Sequence, residues 1–181
     1  MANRSASAVC ALMVGVLALV GCSTGLLQVS KPESSRPPMV PMPDPASMQQ
    51  VIDPAKEFVI LNNLQNVSGT FGWVACGGQD EALYYGEARV YFGLPKDMDS
   101  QRYVRKIAHM MVSHGWADRP VQGDRSFGTL LHTNEVRAII TGGNTSDPET
   151  GQIQLLGECR NTTDHRDDST AVSITSQLLQ R

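Results

Sequence analysis

The chain has 181 residues, of which 41% are apolar, 18% charged and 6% aromatic. That is one domain plus extras, with enough apolar material for a core and too much for a disordered chain. Fifteen Lys and Arg against 18 Asp and Glu give a net charge of −3, so there is no basic surplus to neutralise phosphates and nucleic acid is not an expected partner.

Arg4 supplies one positive charge near the start, and residues 8–20 follow as a 13-residue run without charge. A helix needs roughly 20 residues to cross a hydrocarbon core about 30 Å thick, so the run is too short to span. It has the length and flanks of an export signal instead. The run ends in Leu19-Val20-Gly21-Cys22, which resembles the lipobox of bacterial lipoproteins: aliphatic, then small, then Cys. The resemblance implies that residues 1–21 are removed and that Cys22 is acylated. One acyl chain binds a membrane only marginally, but each buried methylene contributes about 0.8 kcal/mol, so two or three chains on Cys22 anchor stably. The membrane is thus the expected partner of this end.

Residues 22–46 are expected to be the lipidated Cys and a tether. They hold Pro32, Pro37, Pro38, Pro41, Pro43 and Pro45, six of the ten prolines. No helix or sheet tolerates that density, and an extended chain gains about 3.1 Å per residue, so the segment could reach roughly 75 Å.

Residues 47–181 are expected to form one domain. Met48, Val51, Ile52, Ala55, Phe58 and Val59 recur at helical spacing. Asp53-Pro54 reads as a cap with Pro at the first helical position, so a helix starts or kinks there. Residues 71–75 and 83–92 read as strands joined through Cys76-Gly77-Gly78-Gln79-Asp80. In the second, Tyr85, Glu87, Arg89 and Tyr91 alternate with Tyr84, Gly86, Ala88, Val90 and Phe92, which gives a half-buried strand with one polar face. The clearest helix covers 101–114, capped by Asp99 or Ser100 and closed by Gly115. Its stripe is Tyr103, Val104, Ile107, Ala108 and Met111. Trp116 and residues 129–132, 136–141 and 152–159 read as short strands, the last two joined by a turn at Asp147-Pro148-Glu149-Thr150-Gly151. This order predicts an α+β fold, an antiparallel sheet with two helices packed on one face.

Of four cysteines, Cys10 leaves with the signal and Cys22 carries lipid. Cys76 and Cys159 remain, and an even remainder in an exported domain reads as one disulfide. No CxxC motif and no Cys–His constellation points to a reactive or metal-bound thiol.

His109 and His114 are five positions apart, which sets them about 140° apart around a helix and unable to share a metal easily. His109 reads as a surface residue, His114 as a partner of the helix C-terminus, and His132 stands alone on a strand. Asp164-His165-Arg166-Asp167-Asp168 could hold a cation, but it lacks the spacing of an EF-hand loop and Arg166 opposes a cation. It reads as a solvated charged turn. The nucleophile elbow G-x-S-x-G is absent, and Gly142-Gly143-Asn144-Thr145-Ser146 lacks the Lys of a P-loop. Nothing pairs Glu57, Glu87, Glu135 or Glu158 as acid and base. No catalytic residue, metal or cofactor is expected, and the chain does not read as an enzyme.

The lipobox, Val51-Ile52-Asp53-Pro54-Ala55-Lys56, Ser113-His114-Gly115-Trp116 and above all Gly157-Glu158-Cys159-Arg160-Asn161-Thr162-Thr163-Asp164-His165 together resemble the LppJ family of mycobacterial lipoproteins, over most of the domain. The resemblance implies an exported lipoprotein of the cell envelope, held at the outer leaflet of the plasma membrane. It brings no catalytic residue. Cys22 and the Cys76/Cys159 pair are the positions that carry over.

The expected function is a non-catalytic interaction module that binds an envelope protein or a cell-wall component. An exposed apolar or aromatic patch would favour it. The alternative is a head that takes a small ligand or lipid between helices and sheet, in a cavity lined by Met110, Met111, Tyr84, Tyr85 and Trp116. That version needs a cavity of at least about 300 Å³.

Overall fold

A computed structural model describes residues 39–77, 83–118, 128–168 and 170–180. Cys22, the stretch expected to be an export signal, most of the expected tether and Gly78-Gln79-Asp80 lie outside the described residues. The fold is α+β. In chain order the elements are α1 (Asp44–Leu61), β1 (Ser68–Ala75), β2 (Tyr84–Gly93), α2 (Ser100–Ser113), β3 (Thr129–His132), β4 (Arg137–Thr141), β5 (Thr150–Leu156), β6 (Val172–Ser173) and α3 (Thr175–Leu179). The strands form one antiparallel sheet in the order β3-β4-β5-β2-β1-β6.

Alternation along β2 decides which face is covered. Phe71, Ala88, Leu155, Ala138 and Leu131 register as one row across five strands, and Val90, Ile153 and Ile140 form part of the next. All of these are buried, because the helices lie over this side. Thr70, Arg89 and Gln154 make up the opposite, uncovered side. The polar face expected of β2 is therefore real, although Glu87 within it is buried and paired with Arg89.

The two main helices dock through the expected residues. α1 buries Val51, Ile52, Ala55, Phe58 and Val59, and α2 buries Val104, Ile107, Ala108 and Met111. The Asp99 carboxylate accepts the Arg102 N–H at 2.9 Å and so caps α2. Gly115 follows with φ +96°, a left-handed turn that glycine enters without a side-chain clash. Phe58 meets Trp116 edge-on, with ring centroids 5.1 Å apart.

α1 starts at Asp44, not at Met48 or Asp53, and it runs through Pro54. Pro43 and Pro45 are at home here, since the first turn has no intrahelical partner for an N–H and proline sets a helical φ. Interior Pro54 costs about 3 kcal/mol, and the apolar stripe buried on both sides of it offsets that loss. Ahead of the helix, the Met42 N–H bonds to the Arg160 carbonyl at 2.8 Å. Beyond the expected elements, the C-terminal segment adds β6 and a third helix on the same face. Ile174 and Leu178 are fully buried there, over Gly69. No helix among the described residues is long and apolar enough to cross a membrane.

Candidate functional site

Strand alternation places Phe71 and Trp73 on the helix-covered face of β1, where their rings meet edge-on at 5.0 Å. β1 pairs with β6 only at Thr70 and Phe71, so Trp73 stands past the end of β6. Of the stretch that leads into β6, His165, Asp167, Asp168, Thr170 and Val172 lie around Trp73.

Hydrogen bonds and ring contacts hold that stretch. Asn161 exchanges backbone hydrogen bonds with Tyr84, at 2.9 and 3.1 Å. Its amide donates to the Asp44 Oδ1 at 2.8 Å, and the Thr163 hydroxyl donates to the same oxygen at 2.6 Å. His165 stacks on Trp73 with ring centroids 3.9 Å apart and planes 9° from parallel. Tyr84 closes the other side of the imidazole edge-on at 5.3 Å and donates its hydroxyl to Asp164 at 3.3 Å.

His165 is the centre of this arrangement, with a side chain only 4% exposed. Its Nδ1 lies 2.7 Å from the Asp168 Oδ2, and its Nε2, sealed from solvent, lies 3.5 Å from the Asp44 Oδ1. Hydrogen bonds from Asn161 and Thr163 hold the Asp44 carboxyl below the usual carboxylate range, and His165 adds to them. The Arg166 N–H does the same for Asp164. The sequence reading of 164–168 as a solvated turn thus holds for the exposed Asp164, Arg166, Asp167 and Asp168 and is corrected for His165. A buried imidazole between two carboxylates, on a Trp face, is a clamp between the start of α1 and the C-terminal segment.

Beside the clamp is a cleft of about 450 Å³ lined by Met48, Phe71, Gly72, Trp73, Asp167, Asp168, Thr170 and Val172. Its floor is apolar and aromatic, its rim carries two carboxylates, and Val172 is 51% exposed. On the uncovered side of the sheet a second cleft of about 250 Å³ shares Gly72, Trp73 and Asp168 with the first. At the far end of α1 an uncharged groove of about 610 Å³ lies between Val59, Ile60, Leu64, Leu178 and Leu179.

Cys76 and Cys159 are bonded to each other, with Cα atoms 6.0 Å apart. The bond reaches across the start of β2, which separates β1 from β5. Cys22 lies outside the described residues. The residues suggested for a ligand cavity do not come together: Met111 and Trp116 are core, Tyr84 closes on His165, and Tyr85 points to the opposite face of β2. His114 caps α2, its Nδ1 lying 2.8 Å from the Met110 carbonyl, and His109 is exposed. Among the described residues no group of three His, Cys, Asp or Glu side chains could hold a metal ion. The sequence offers His165 only within the candidate cation cluster 164–168 and does not mark Trp73 or Met48 as site residues; the period-two spacing of Phe71 and Trp73 is the available signal.

The family model described as “Putative lipoprotein LppJ” matches residues 43–177. Two relatives of that same description, from Mycobacterium tuberculosis (strain ATCC 25618 / H37Rv) and Mycobacterium bovis (strain ATCC BAA-935 / AF2122/97), are each 37% identical over 165 residues. The match covers 90% of this chain and 86% of each relative, a stretch long enough that it must take in Cys22. No solved structure matches the chain.

Proposed function

This chain belongs to the LppJ family of lipoproteins, and from that membership we propose that its folded domain is a non-catalytic binding module of the cell envelope. Acyl chains on Cys22 hold it at the outer leaflet of the plasma membrane, and it docks an envelope protein through the cleft beside Trp73. The observation that carries this reading is the combination of a partly exposed apolar lining, with Val172 half exposed, and an acidic rim, since exposed apolar patches on a small domain are characteristic of docking surfaces. The chemistry nearby supports it. The His165 Nδ1 is taken by Asp168, its Nε2 is sealed, and the Thr163 and Tyr84 hydroxyls of the clamp donate to Asp44 and Asp164.

The test is a photoreactive residue at Val172 in the full chain, expressed in a mycobacterial host, against the same residue at Glu135 near the opposite edge of the sheet. A discrete cross-linked product at 172 and none at 135 is expected. Equal labelling at both, or none at 172, overturns the reading.

A second reading, a head that takes a small apolar ligand or lipid, is favoured by one observation: the uncharged groove between α1 and α3, where Ile60 and Leu179 are more than half exposed. Native mass spectrometry of the full chain would then show an adduct that disappears on denaturation.

A further inference from the structure

β1 pairs with β2 along its whole length, from Ser68↔Tyr91 to Ala75↔Tyr84, but meets β6 only at Thr70 and Phe71. Residues 72–75 therefore have no strand neighbour on their outer side among the described residues. Their sequence, Gly-Trp-Val-Ala, carries neither the charge nor the proline with which natural edge strands discourage pairing. Space lies on both sides of this edge. The 450 Å³ cleft opens on the helix-covered face and the 250 Å³ cleft on the uncovered face, and both are lined by Gly72, Trp73 and Asp168.

Resting on the binding-module reading above, we propose that these two clefts receive one extended basic segment of a partner protein, laid along residues 72–75 of β1. Side chains of an added strand alternate between faces, so successive residues of the segment enter one cleft and then the other. The charge pattern selects their chemistry. Arg166 lies 3.7 Å from Asp164, and Arg89 is paired with Glu87 in the second cleft. Among the described residues neither Asp167 nor Asp168 forms an ion pair with a Lys or Arg, and both line the first cleft together with Trp73. A Lys or Arg there gains carboxylate partners and an aromatic face together. Met48, Phe71 and Val172 accept the aliphatic stem or an apolar neighbour.

The full chain in neutral detergent is titrated with two synthetic peptides, one alternating Lys and Val and the other Glu and Val, while NMR follows the Trp73 indole and the amides of 72–75. Saturable shifts and slowed amide exchange with the Lys peptide alone are expected. The exposed Asp167→Lys variant, which disturbs no contact of the clamp, should lower affinity about tenfold. Equal responses to both peptides, silence to both, or an unchanged affinity in Asp167→Lys overturns the proposal. Silence here with a product still captured at Val172 rejects the basic segment and leaves the binding module standing; silence in both experiments rejects both.

Discussion

Replacing both Cys76 and Cys159 by Ala removes a cross-link that closes 83 residues. On the chain-entropy account such a loop constrains the unfolded ensemble by about 4.5 kcal/mol at 25 °C. The native state has its own hold on the same place. The Cys76 N–H bonds to the Leu83 carbonyl at 2.9 Å, Tyr84 and Asn161 exchange two backbone bonds, and the Gly157 N–H reaches the Gly86 carbonyl at 3.0 Å. The bridge is therefore redundant in the folded protein, and its loss should raise the entropy of the unfolded chain without rearranging the fold. A domain of about 140 residues has an unfolding entropy near 0.3 kcal/mol/K, so the melting temperature should fall by about 15 °C.

Urea unfolding of the full chain in neutral detergent, followed by circular dichroism, measures this directly. The double variant should keep the native near-ultraviolet spectrum and lose about 3–4.5 kcal/mol, against a total stability of about 5–15 kcal/mol. A loss below about 1 kcal/mol would refute the loop-closure reasoning. So would a native spectrum that changes with the substitution, since the bridge would then be shaping the folded state.

Two further outcomes follow from the packing and the clamp. Gly86 lies beneath α1, where an added Cβ would meet the Ser47 carbonyl oxygen at 2.9 Å and the Phe71 ring at 2.8 Å; Gly86→Val should lose about 2–3 kcal/mol by pushing helix from sheet, read as a lower urea midpoint at an unchanged slope. Asp44 ionises below its ordinary 3.8 in the folded protein, first through Asn161 and Thr163 and then through His165. Its contribution is complete above that ordinary value and is lost as pH falls through the lowered one. Asp44→Asn, which keeps an acceptor oxygen without the charge, should flatten the fall in stability below about pH 4. Urea midpoints from acid to neutral pH check this, and parallel curves for the two proteins would refute it.

Where one helix or strand carries a full period of apolar residues, local pattern was sufficient. The stripe Val104, Ile107, Ala108, Met111 with Asp99 before it and Gly115 after it defines α2 to within a residue, and alternation over 84–92 defines β2. The beginning of α1 was not legible because Pro43 and Pro45 look the same in a linker and in a first helical turn; packing against the sheet and the Asp44 contacts with Asn161 and Thr163 decide between them. β6 and α3, of two and five residues, are too short to show a period. They exist because Ile174 and Leu178 fill the space over Gly69, a residue about 100 positions away in the chain.

The same distinction explains the site. In sequence, His165 sits among four charged residues, and such a run is ordinarily solvated. Burying it requires groups from three separate places: the Trp73 face from β1, the Tyr84 edge from β2 and the Asp44 carboxylate from the start of α1. None of these is within 80 residues of it. The pairing that brings them together is β1 with β2, and the strand following that hairpin in space, β5, continues as residues 157–161 beside the start of β2, bonded to Gly86 and Tyr84. Cys159 lies on that continuation. A disulfide argued from compartment and parity therefore also marks the corner where the clamp is built, and the cleft beside Trp73 is what remains where β6 pairs with β1 only at Thr70 and Phe71 and His165, Asp167, Asp168, Thr170 and Val172 lie around the indole.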